Sequence, residues 1–444
     1  MGGQPRSLIF MKIINQLIKY GFYLFVFLLP WQTRWIVSDA SLNGGVWEYG
    51  RMSLYGTEIL LIILLILGLI NWSKSYFKKT KDQKLEEVKE ELKGQKLFII
   101  LLIIWSGLTI FWSVDKLLAW SGLLNLIWGI SIFWLIESQK IDIKKIGYAL
   151  ISAGVVQSLI GVWQFARQSF FISKWLGISL LNPSLTGTSV INNGSGRFLR
   201  AYGSLPHPNI LAGFLVIGIL IAVILINQEP TKKIRYLLNV AVGFLTLGLI
   251  LTFSRAGWLA LIISLIIFVV YNYIKKREQK KIIWPLIIIG LIFLILFFSY
   301  GDLFKSRLTG LERLELKSNQ ERISYYPQAF SIIKNNWLAG MGINNYTLIL
   351  YKNNPNLNSW DYQPVHDTAL LIWAEMGIIG LMLFIGIIIF TFKNKSNYWP
   401  LILAILILGF FDHYFHSLYF GIMLWWLVVG INRKTNSKST CFSF

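Results

Sequence analysis

Cationic and proton-accepting side chains stand beside apolar stretches at several points of the sequence. The clearest examples are Arg200, Arg255, Arg322 and His366. A guanidinium group beside lipid costs several kcal/mol unless an anion or a polar cavity compensates it, and its planar fork binds phosphate oxygens in bidentate fashion. Imidazole accepts and donates protons near neutral pH. These residue types predict binding of a phosphate-bearing group together with general acid–base chemistry.

The stretch RAYGSLPHPNILAGF begins at Arg200 and leads into a long apolar run. The loop before the run, residues 167–208, contains no Asp or Glu, so its positive potential would attract anions. His207 and Asn209 stand at the turn into the run and are candidate substrate-binding residues. The structural alternative is that Arg200 only caps the loop.

Arg255 lies in LTFSRAGWLA, a two-residue break between apolar helices. Arg255 is a candidate for recognition of a phosphate on a lipid-linked substrate. The simpler alternative is that its side chain extends to lipid phosphate at the membrane surface.

Arg322 opens the segment ERISYYPQAFSIIKN, which is predicted to be an amphipathic helix on the surface. Its apolar residues have helical spacing: Ile323, Tyr326, Phe330 and Ile333. The alternative for Arg322 is a solvated surface charge.

The stretch PVHDTALLIWAEMGIIGL places His366 where a polar loop turns into an apolar run. A histidine at a helix start is usually structural, but arginines on the same membrane face favour a catalytic role. Asp367 is expected to cap the helix or to orient His366. Glu375 lies deeper, and an acid inside the membrane is a functional candidate by default.

A second polar cluster, Asp412, His413 and His416, interrupts the apolar stretch FFDHYFHSLYF. If the stretch is helical, both histidines share a face and a metal site is conceivable. A polar lining or a turn between two spans is the favoured interpretation, and no metal is predicted. The sequence has no phosphate-binding Walker motif and no dinucleotide fingerprint.

The elements that position these residues are membrane helices. Of the 444 residues, 55% are hydrophobic, and the mean hydropathy is +0.58. We count about twelve apolar runs long enough to cross a bilayer, and their continuous hydrophobicity favours helices over a barrel. The lone Cys441 excludes an intramolecular disulfide.

The net charge of +21 does not indicate nucleic-acid binding, because most Lys and Arg residues lie in short links between the runs. This is the positive-inside pattern, and it places both termini in the cytoplasm and two large loops outside. The predicted cytoplasmic links contain Lys74, Lys78, Lys79 and Lys81, then Lys140, Lys144 and Lys145, then Lys232, Lys233 and Arg235, and finally Lys275, Lys276 and Arg277.

Four regions are predicted along the chain. Residues 1–166 contain spans one to five and a charged cytoplasmic link, 74–96. Residues 167–300 contain spans six to nine and the basic outward loop 167–208. Residues 301–365 form a large outward loop with short amphipathic helices, and residues 366–444 contain spans ten to twelve and a cytoplasmic tail.

Taken together, these segments resemble the O-antigen ligase / O-antigen polymerase superfamily of bacterial envelope glycosyltransferases. The resemblance is most specific from Arg200 to Leu381. It rests on four motifs in order: RAYGSLPHPNILAGF, LTFSRAGWLALI, ERISYYPQAFSIIKNNWLAGMGINNY with its Gly340-x-Gly342 turn, and VHDTALLIWAEMGIIGL. Over the first 190 residues only the span pattern matches. Asp367 departs from the family, which usually has an amide or Ser after the histidine.

The resemblance implies an all-α, GT-C-like membrane transferase without metal or other cofactor. Its donor would be a glycan on undecaprenyl diphosphate, and its acceptor a lipid, a glycan or a protein. His366 would activate the acceptor hydroxyl for inversion at the anomeric carbon, and Arg200 and Arg255 would bind the diphosphate and stabilise the leaving group. The expected substrate-binding residues are Arg322, Asn209, His207, Asp367 and Glu375.

Several alternatives stay open at this point. Ligase and polymerase activity are not separable by sequence, and an acid of the first outward loop, Asp39 or Glu48, could replace His366 as the base. The rival class is a transporter of lipid-linked glycans, which would place its cations deep in a central cavity rather than at the outward ends of helices. A purely structural scaffold would not need the Arg and His constellation.

Overall fold

The computed structural model describes residues 6–433 except for residues 78, 186, 195, 278 and 311. Cys441 and most of the basic C-terminal tail lie outside the described residues.

Most of the described chain is helical, as expected for backbone that must satisfy its hydrogen bonds within lipid. In chain order the helices are α1 (Arg6–Leu28), α2 (Gly56–Phe77), α3 (Lys81–Glu91), α4 (Gly94–Thr109), α5 (Lys116–Ser138), α6 (Ile143–Arg167), α7 (Pro208–Gln228), α8 (Lys232–Leu251), α9 (Arg255–Ile274), α10 (Ile283–Ser299), α11 (Gly301–Thr309), α12 (Arg313–Asn336), α13 (Tyr346–Asn353), α14 (Thr368–Lys393), α15 (Trp399–Phe411), α16 (Tyr414–Ser417) and α17 (Tyr419–Ile431).

Nine of the described helices are long and apolar enough to span a membrane: α1, α2, α5 to α10, and α14. Three shorter apolar helices, α4, α15 and α17, lie where the sequence predicts the remaining spans. The prediction of an all-α polytopic membrane protein is therefore confirmed.

The strands form three short antiparallel ribbons in the connecting loops. Strand β1 (Arg34–Ser38) pairs with β4 (Met52–Tyr55), β2 (Ser41–Leu42) with β3 (Gly45–Val46), and β5 (Val190–Asn192) with β6 (Arg197–Leu199). All of them lie at one end of the helical bundle together with residues 300–310 and 312–367, and we call this the loop end. Hydrogen bonds join its parts: Thr33 Oγ1 donates to the carbonyl of Trp175 at 2.7 Å, and Asn43 Nδ2 to that of Pro355 at 2.6 Å.

Helix α7 is the centre of the bundle. Its residues from Pro208 to Ile226 are all buried, and it packs against α6, α8, α9 and α15. A helix that is apolar on all sides is expected in this position. At Gly213 an added Cβ atom would come within 2.0 Å of the Tyr414 hydroxyl, so only glycine allows α7 to approach the segment between α15 and α17 this closely. The N-terminus of α7 is thereby fixed beside that segment.

Helix α14 is kinked at Gly377, which has a φ of 67°. The kink exposes backbone groups that residues 337–342 then satisfy: Ile378 N–H donates to the Trp337 carbonyl at 2.8 Å, and the Glu375 carbonyl accepts from Gly342 N–H at 2.9 Å. A Cβ atom at Gly340 would meet the Glu375 carbonyl oxygen at 2.3 Å. The Gly340-x-Gly342 turn and the Glu375-x-Gly377 stretch of α14 are therefore the two halves of one contact.

Helix α12 differs from its predicted form in two respects. It begins at Arg313, earlier than the predicted segment ERISYYPQAFSIIKN, because Glu315 in its first turn is held by side chains of the loop end. Its protein-facing side carries Ala329, Ile332 and Ile333, whereas Ile323 and Phe330 are exposed. The predicted apolar stripe therefore coincides only in part with the buried face of α12. The spacing of apolar residues alone does not show which face of α12 packs against α14.

Candidate active site

A cavity of about 750 Å³ opens at the loop end, which is a volume typical of ligand sites. Its walls come from the hairpin of β1 and β4, the turn before α7, helix α12, the segment before α14, and the break between α15 and α17. Six of the titratable residues singled out in the sequence line it: Glu48, His207, Arg322, His366, Asp412 and His413. The cavity thus brings together parts of the chain that are far apart in sequence.

His366 stands between two rings at the cavity wall. Its ring centroid lies 5.8 Å from that of Tyr325 and 5.1 Å from that of His413. The side chain is 22% exposed, and its Nδ1 atom is buried without a hydrogen-bond partner among the described residues. Packing therefore holds the imidazole in place while part of the ring faces the cavity.

Asp412 supplies the carboxylate nearest to His366. Its Oδ1 atom lies 3.6 Å from His366 Nδ1, slightly beyond hydrogen-bond length. Burial by itself would raise the pKa of Asp412, but His366, His413 and Arg322 outweigh it and hold this pKa below its usual range. An ionised carboxylate in this position stabilises a proton on His366 Nδ1 and so leaves Nε2 as the basic nitrogen.

A chain of hydrogen bonds connects Asp412 to Arg200. Asn209 Nδ2 donates to Asp412 Oδ2 at 3.4 Å, and Asn209 Oδ1 accepts from Arg200 Nη2 at 2.9 Å. Arg200 also donates to the Thr252 carbonyl at 2.6 Å and to Ser189 Oγ at 2.8 Å. The Arg200 side chain is buried and does not line the cavity, so it contacts the candidate site through Asn209 and Asp412.

Arg322 differs from the other arginines singled out in the sequence. Its side chain lines the cavity, and no described residue forms a hydrogen bond or close ion pair with its guanidinium group. A buried or half-buried guanidinium ordinarily has an acceptor for its five N–H donors. Arg322 is therefore the cation of this cavity best suited to an anionic ligand.

Arg255 is engaged by the protein itself. Its guanidinium group donates to the Arg307 carbonyl at 3.3 Å, to Glu315 at 3.3 Å and to Asn319 Oδ1 at 3.1 Å. Glu315 also forms a buried ion pair with Arg307. The structure thus places Arg255 where it braces the first turns of α12, the helix that carries Arg322 further along.

Asp367 caps α14: its Oδ1 atom accepts a hydrogen bond from Leu370 N–H at 2.9 Å. Burial raises the pKa of Asp367. The structure does not bring this carboxyl group into the cavity, and the acid that faces His366 is Asp412.

Glu375 is also outside the large cavity. Its carboxylate pairs with His416 Nε2 at 2.9 Å and accepts from Tyr346 N–H at 3.3 Å. A small cavity of about 30 Å³ lies beside this pair, with Asn125 and Asn344 in its wall, and is large enough for about one water molecule. The pair joins α14 to α16 and so holds the break on which Asp412 and His413 lie.

Removing this pair is expected to affect stability more than catalysis. In Glu375→Ala, His416 and Tyr346 N–H lose their partner in a buried site, and each unsatisfied group costs about 1–3 kcal/mol. We expect a lower thermal midpoint in detergent, with the KM for the donor nearly unchanged in the folded protein. In the double variant Glu375→Ala/His416→Ala, the loss of stability should be about 1–2 kcal/mol smaller than the sum of the two single losses. A Glu375→Ala variant of normal stability that no longer binds the donor would show that Glu375 contacts substrate.

His207 is the N-cap of α7, where its Nδ1 atom accepts from Asn209 N–H at 3.1 Å. Burial, together with nearby Arg200, lowers the pKa of His207 to about 3. The imidazole is therefore neutral with its proton on Nε2, and it can donate a hydrogen bond to a ligand but cannot serve as the base near neutral pH.

The acids proposed as alternative bases lie in the loop between α1 and α2, and both already have partners. Glu48 lines the cavity and pairs with Arg34 at 2.6 Å and Arg51 at 3.3 Å. Asp39 pairs with Arg51 at 2.6 Å and is not among the residues that line the cavity. Both acids are therefore already paired with arginines of the same loop.

His413 and His416 point to different neighbours. His413 lies near Asp412 and His366, whereas His416 pairs with Glu375. The two histidines do not share one site, because the chain between α15 and α17 breaks into the four-residue helix α16; this break agrees with the favoured interpretation of a turn between two spans.

The aromatic part of the site was not predicted from the sequence. Tyr49, Tyr325 and Trp360 line the cavity. Burial raises the pKa of Tyr325 to about 12, so its hydroxyl is a hydrogen-bond donor. Aromatic faces and hydroxyl groups of this kind suit sugar rings, and no local pattern in the sequence marks them.

The fold and the cavity define an integral membrane protein with a histidine, a carboxylate that faces it and an arginine without a partner among the described residues, all at one end of a helical bundle. Residues 240–385 match the family model of O-antigen ligase. The match covers about a third of the chain, including Arg255, Arg322 and His366. It supports the O-antigen ligase/polymerase superfamily, so the prediction of this superfamily is confirmed over that range. No curated protein matches the chain.

Proposed function

We propose that the protein is a membrane glycosyltransferase that moves a glycan from undecaprenyl diphosphate to an acceptor hydroxyl group. The observation that supports this most strongly is the shared cavity of Arg322 and His366. Arg322 offers N–H donors for a phosphate, and His366 offers a nitrogen that can accept a proton. The family match to O-antigen ligase agrees with this chemistry.

The reaction begins with deprotonation of the acceptor. His366 Nε2 takes the hydroxyl proton while the oxygen attacks the anomeric carbon from the face opposite the diphosphate. The bond between the anomeric carbon and the diphosphate oxygen breaks, and the configuration at that carbon inverts. Asp412, 3.6 Å from Nδ1, stabilises the imidazolium that forms.

The leaving diphosphate develops negative charge as this bond breaks. Arg322 is placed to neutralise that charge, and a preorganised donor of this kind contributes about 3–4 kcal/mol to a barrier. No metal ion is required in this scheme, as the resemblance to the superfamily implies.

Arg200 and Arg255 take indirect roles in this proposal. The resemblance assigns both to the diphosphate, but their guanidinium groups already donate to protein acceptors. Arg200 holds Asp412 through Asn209, and Arg255 holds the N-terminal part of α12. Both positions are therefore sensitive to substitution without direct contact with the donor.

The loop end is proposed to face the outside of the bacterial cytoplasmic membrane, with both termini inside. The support is the charge distribution: basic links such as the one with Lys232, Lys233 and Arg235 lie at the opposite ends of the helices. The donor lipid then stays in the membrane while its glycan extends into the cavity.

The test is reconstitution of the full chain in liposomes with undecaprenyl-diphosphate glycan, candidate acceptors and a chelator. We expect release of undecaprenyl diphosphate that depends on the acceptor. A product ladder identifies a polymerase, and a single transferred block identifies a ligase. Movement of the donor between leaflets without release would show that the protein is a transporter.

A further inference from the structure

We propose that His366, Asp412 and His413 bind a divalent transition-metal ion, zinc above all, and that this ion switches off the transferase reaction. One ligand atom from each residue lies within 4.8 Å of the other two. Two imidazoles and a carboxylate, with a further position left for water, form a donor set that zinc uses in proteins. The site is regulatory, because the reaction proposed above proceeds without metal.

The distances between the donor atoms are close to those of a zinc site. Asp412 Oδ1 lies 3.6 Å from His366 Nδ1 and 4.0 Å from His413 Nε2. Ligands bound at about 2.0–2.2 Å in a tetrahedron stand about 3.4 Å apart. Side-chain rotations that move each atom by less than about 1 Å would therefore complete the geometry.

His413 has the correct nitrogen available. Ser417 Oγ donates to the His413 carbonyl at 3.1 Å, so it accepts the hydrogen bond from His413 Nδ1–H at 2.6 Å. The proton is thereby on Nδ1, which leaves a lone pair on Nε2, 4.0 Å from Asp412 Oδ1. Metal-binding histidines are commonly oriented by such a bond from their other nitrogen.

His366 presents the second nitrogen. Its Nδ1 atom is buried and has no hydrogen-bond partner among the described residues, and an unpaired buried polar atom is costly. A metal ion between His366 and Asp412 would satisfy this nitrogen. The Asp412 carboxylate would be a second ligand, and its position is already fixed by Asn209 and by His413 N–H at 2.9 Å.

The ion has a path to the site, because all three side chains line the cavity of about 750 Å³. Magnesium and calcium prefer six or more oxygen ligands, so a pocket with two imidazoles selects against them.

Metal binding would remove the base. An imidazole that binds metal through Nδ1 keeps its remaining proton on Nε2, the nitrogen that must accept the proton of the acceptor hydroxyl. His366 cannot then activate the acceptor. This consequence depends on the proposed glycosyltransferase function, whereas the binding of metal does not.

Metal binding is measured on the full chain without its thiol (Cys441→Ser), purified without a histidine tag and stripped of metal. Titration with Zn²⁺ by calorimetry, and with Co²⁺ by its visible absorption, should each give one ion per chain, and Mg²⁺ should give no heat. His413→Ala and Asp412→Asn should each weaken binding by about tenfold or more. His416→Gln, the matched histidine control outside the cavity, should bind as the parent does.

Equal binding by His413→Ala, Asp412→Asn and the parent would overturn the site, provided that circular dichroism shows folded protein. Loss of binding in His416→Gln alone would do the same. In the liposome assay, zinc should inhibit transfer and a chelator should restore it. Zinc-stimulated transfer would overturn the inhibitory role. An enzyme inactive under all conditions would refute the proposed function, and the cobalt spectrum would still decide the metal site.

Discussion

Replacing His366 with glutamine is expected to lower the turnover of glycan transfer by about 10²- to 10⁴-fold, the range for loss of a general base. Glutamine keeps the approximate size and polarity of the side chain but cannot accept a proton. Because His366 contacts the acceptor hydroxyl in the proposed reaction, the affinity for the donor should hardly change. The measurement is kcat in the liposome assay, with donor binding followed separately.

Two further variants make this test specific. Asp412→Asn should also lower turnover, but less than His366→Gln, because Asn209 and His366 keep a polar partner. His416→Gln is the control for loss of an imidazole, since His416 pairs with Glu375 and is not among the residues that line the large cavity. Full activity of His366→Gln would show that another group, such as Glu48, is the base.

Replacing Arg322 with alanine is expected to lower kcat/KM by about 10²- to 10³-fold. The guanidinium group has no protein acceptor among the described residues, so its N–H donors remain for the diphosphate. Loss of charge-assisted hydrogen bonds of about 1.5–3 kcal/mol each gives an effect of this size. Arg322→Lys should recover only part of it, because a lysine cannot form the bidentate contact. Stability should change little, since the guanidinium forms no hydrogen bond or close ion pair with a described residue.

Arg255→Ala is expected to lower stability while changing kcat/KM little, so it serves as the comparison for Arg322→Ala. This side chain is 36% exposed and bonds to Glu315 and Asn319. Solvent screening limits its ion pair, so we expect a loss of about 1 kcal/mol in stability and less than a tenfold loss in kcat/KM. If Arg255→Ala matched Arg322→Ala in kcat/KM at unchanged stability, the diphosphate would contact Arg255 directly.

The span pattern could be predicted from the sequence because hydrophobicity acts locally. A run of about twenty apolar residues requires a helix regardless of its neighbours, so α7 needs no tertiary information. The kink in α14 is different, because Gly377 has its φ of 67° only where residues 337–342 approach it. The sequence contains the glycines of this contact, but it does not show that Gly377 and the turn at residues 337–342 approach each other in the fold.

The candidate site was predicted in part. His366 and Arg322 could be singled out because charged groups beside apolar runs are rare enough to need a reason, and both line the same cavity. Asp412 was assigned to a separate cluster, and its proximity to His366 depends on the packing of α14 against α15. The signal that could have found it is the acid itself, which interrupts an apolar run in FFDHYF. Which arginines already have protein partners cannot be deduced from their positions in the sequence.

The contact between Gly377 and residues 337–342 also limits how relatives of this protein can be recombined. The backbone of α14 at its kink and the turn with Gly340 and Gly342 supply each other's hydrogen-bond partners and exclude any Cβ atom between them. A chimera that exchanges only the segment between α12 and α14 would join two surfaces that were not selected together. Substrate preference is therefore best exchanged as one block, from α12 through the kink of α14, so that both halves of the contact come from the same parent.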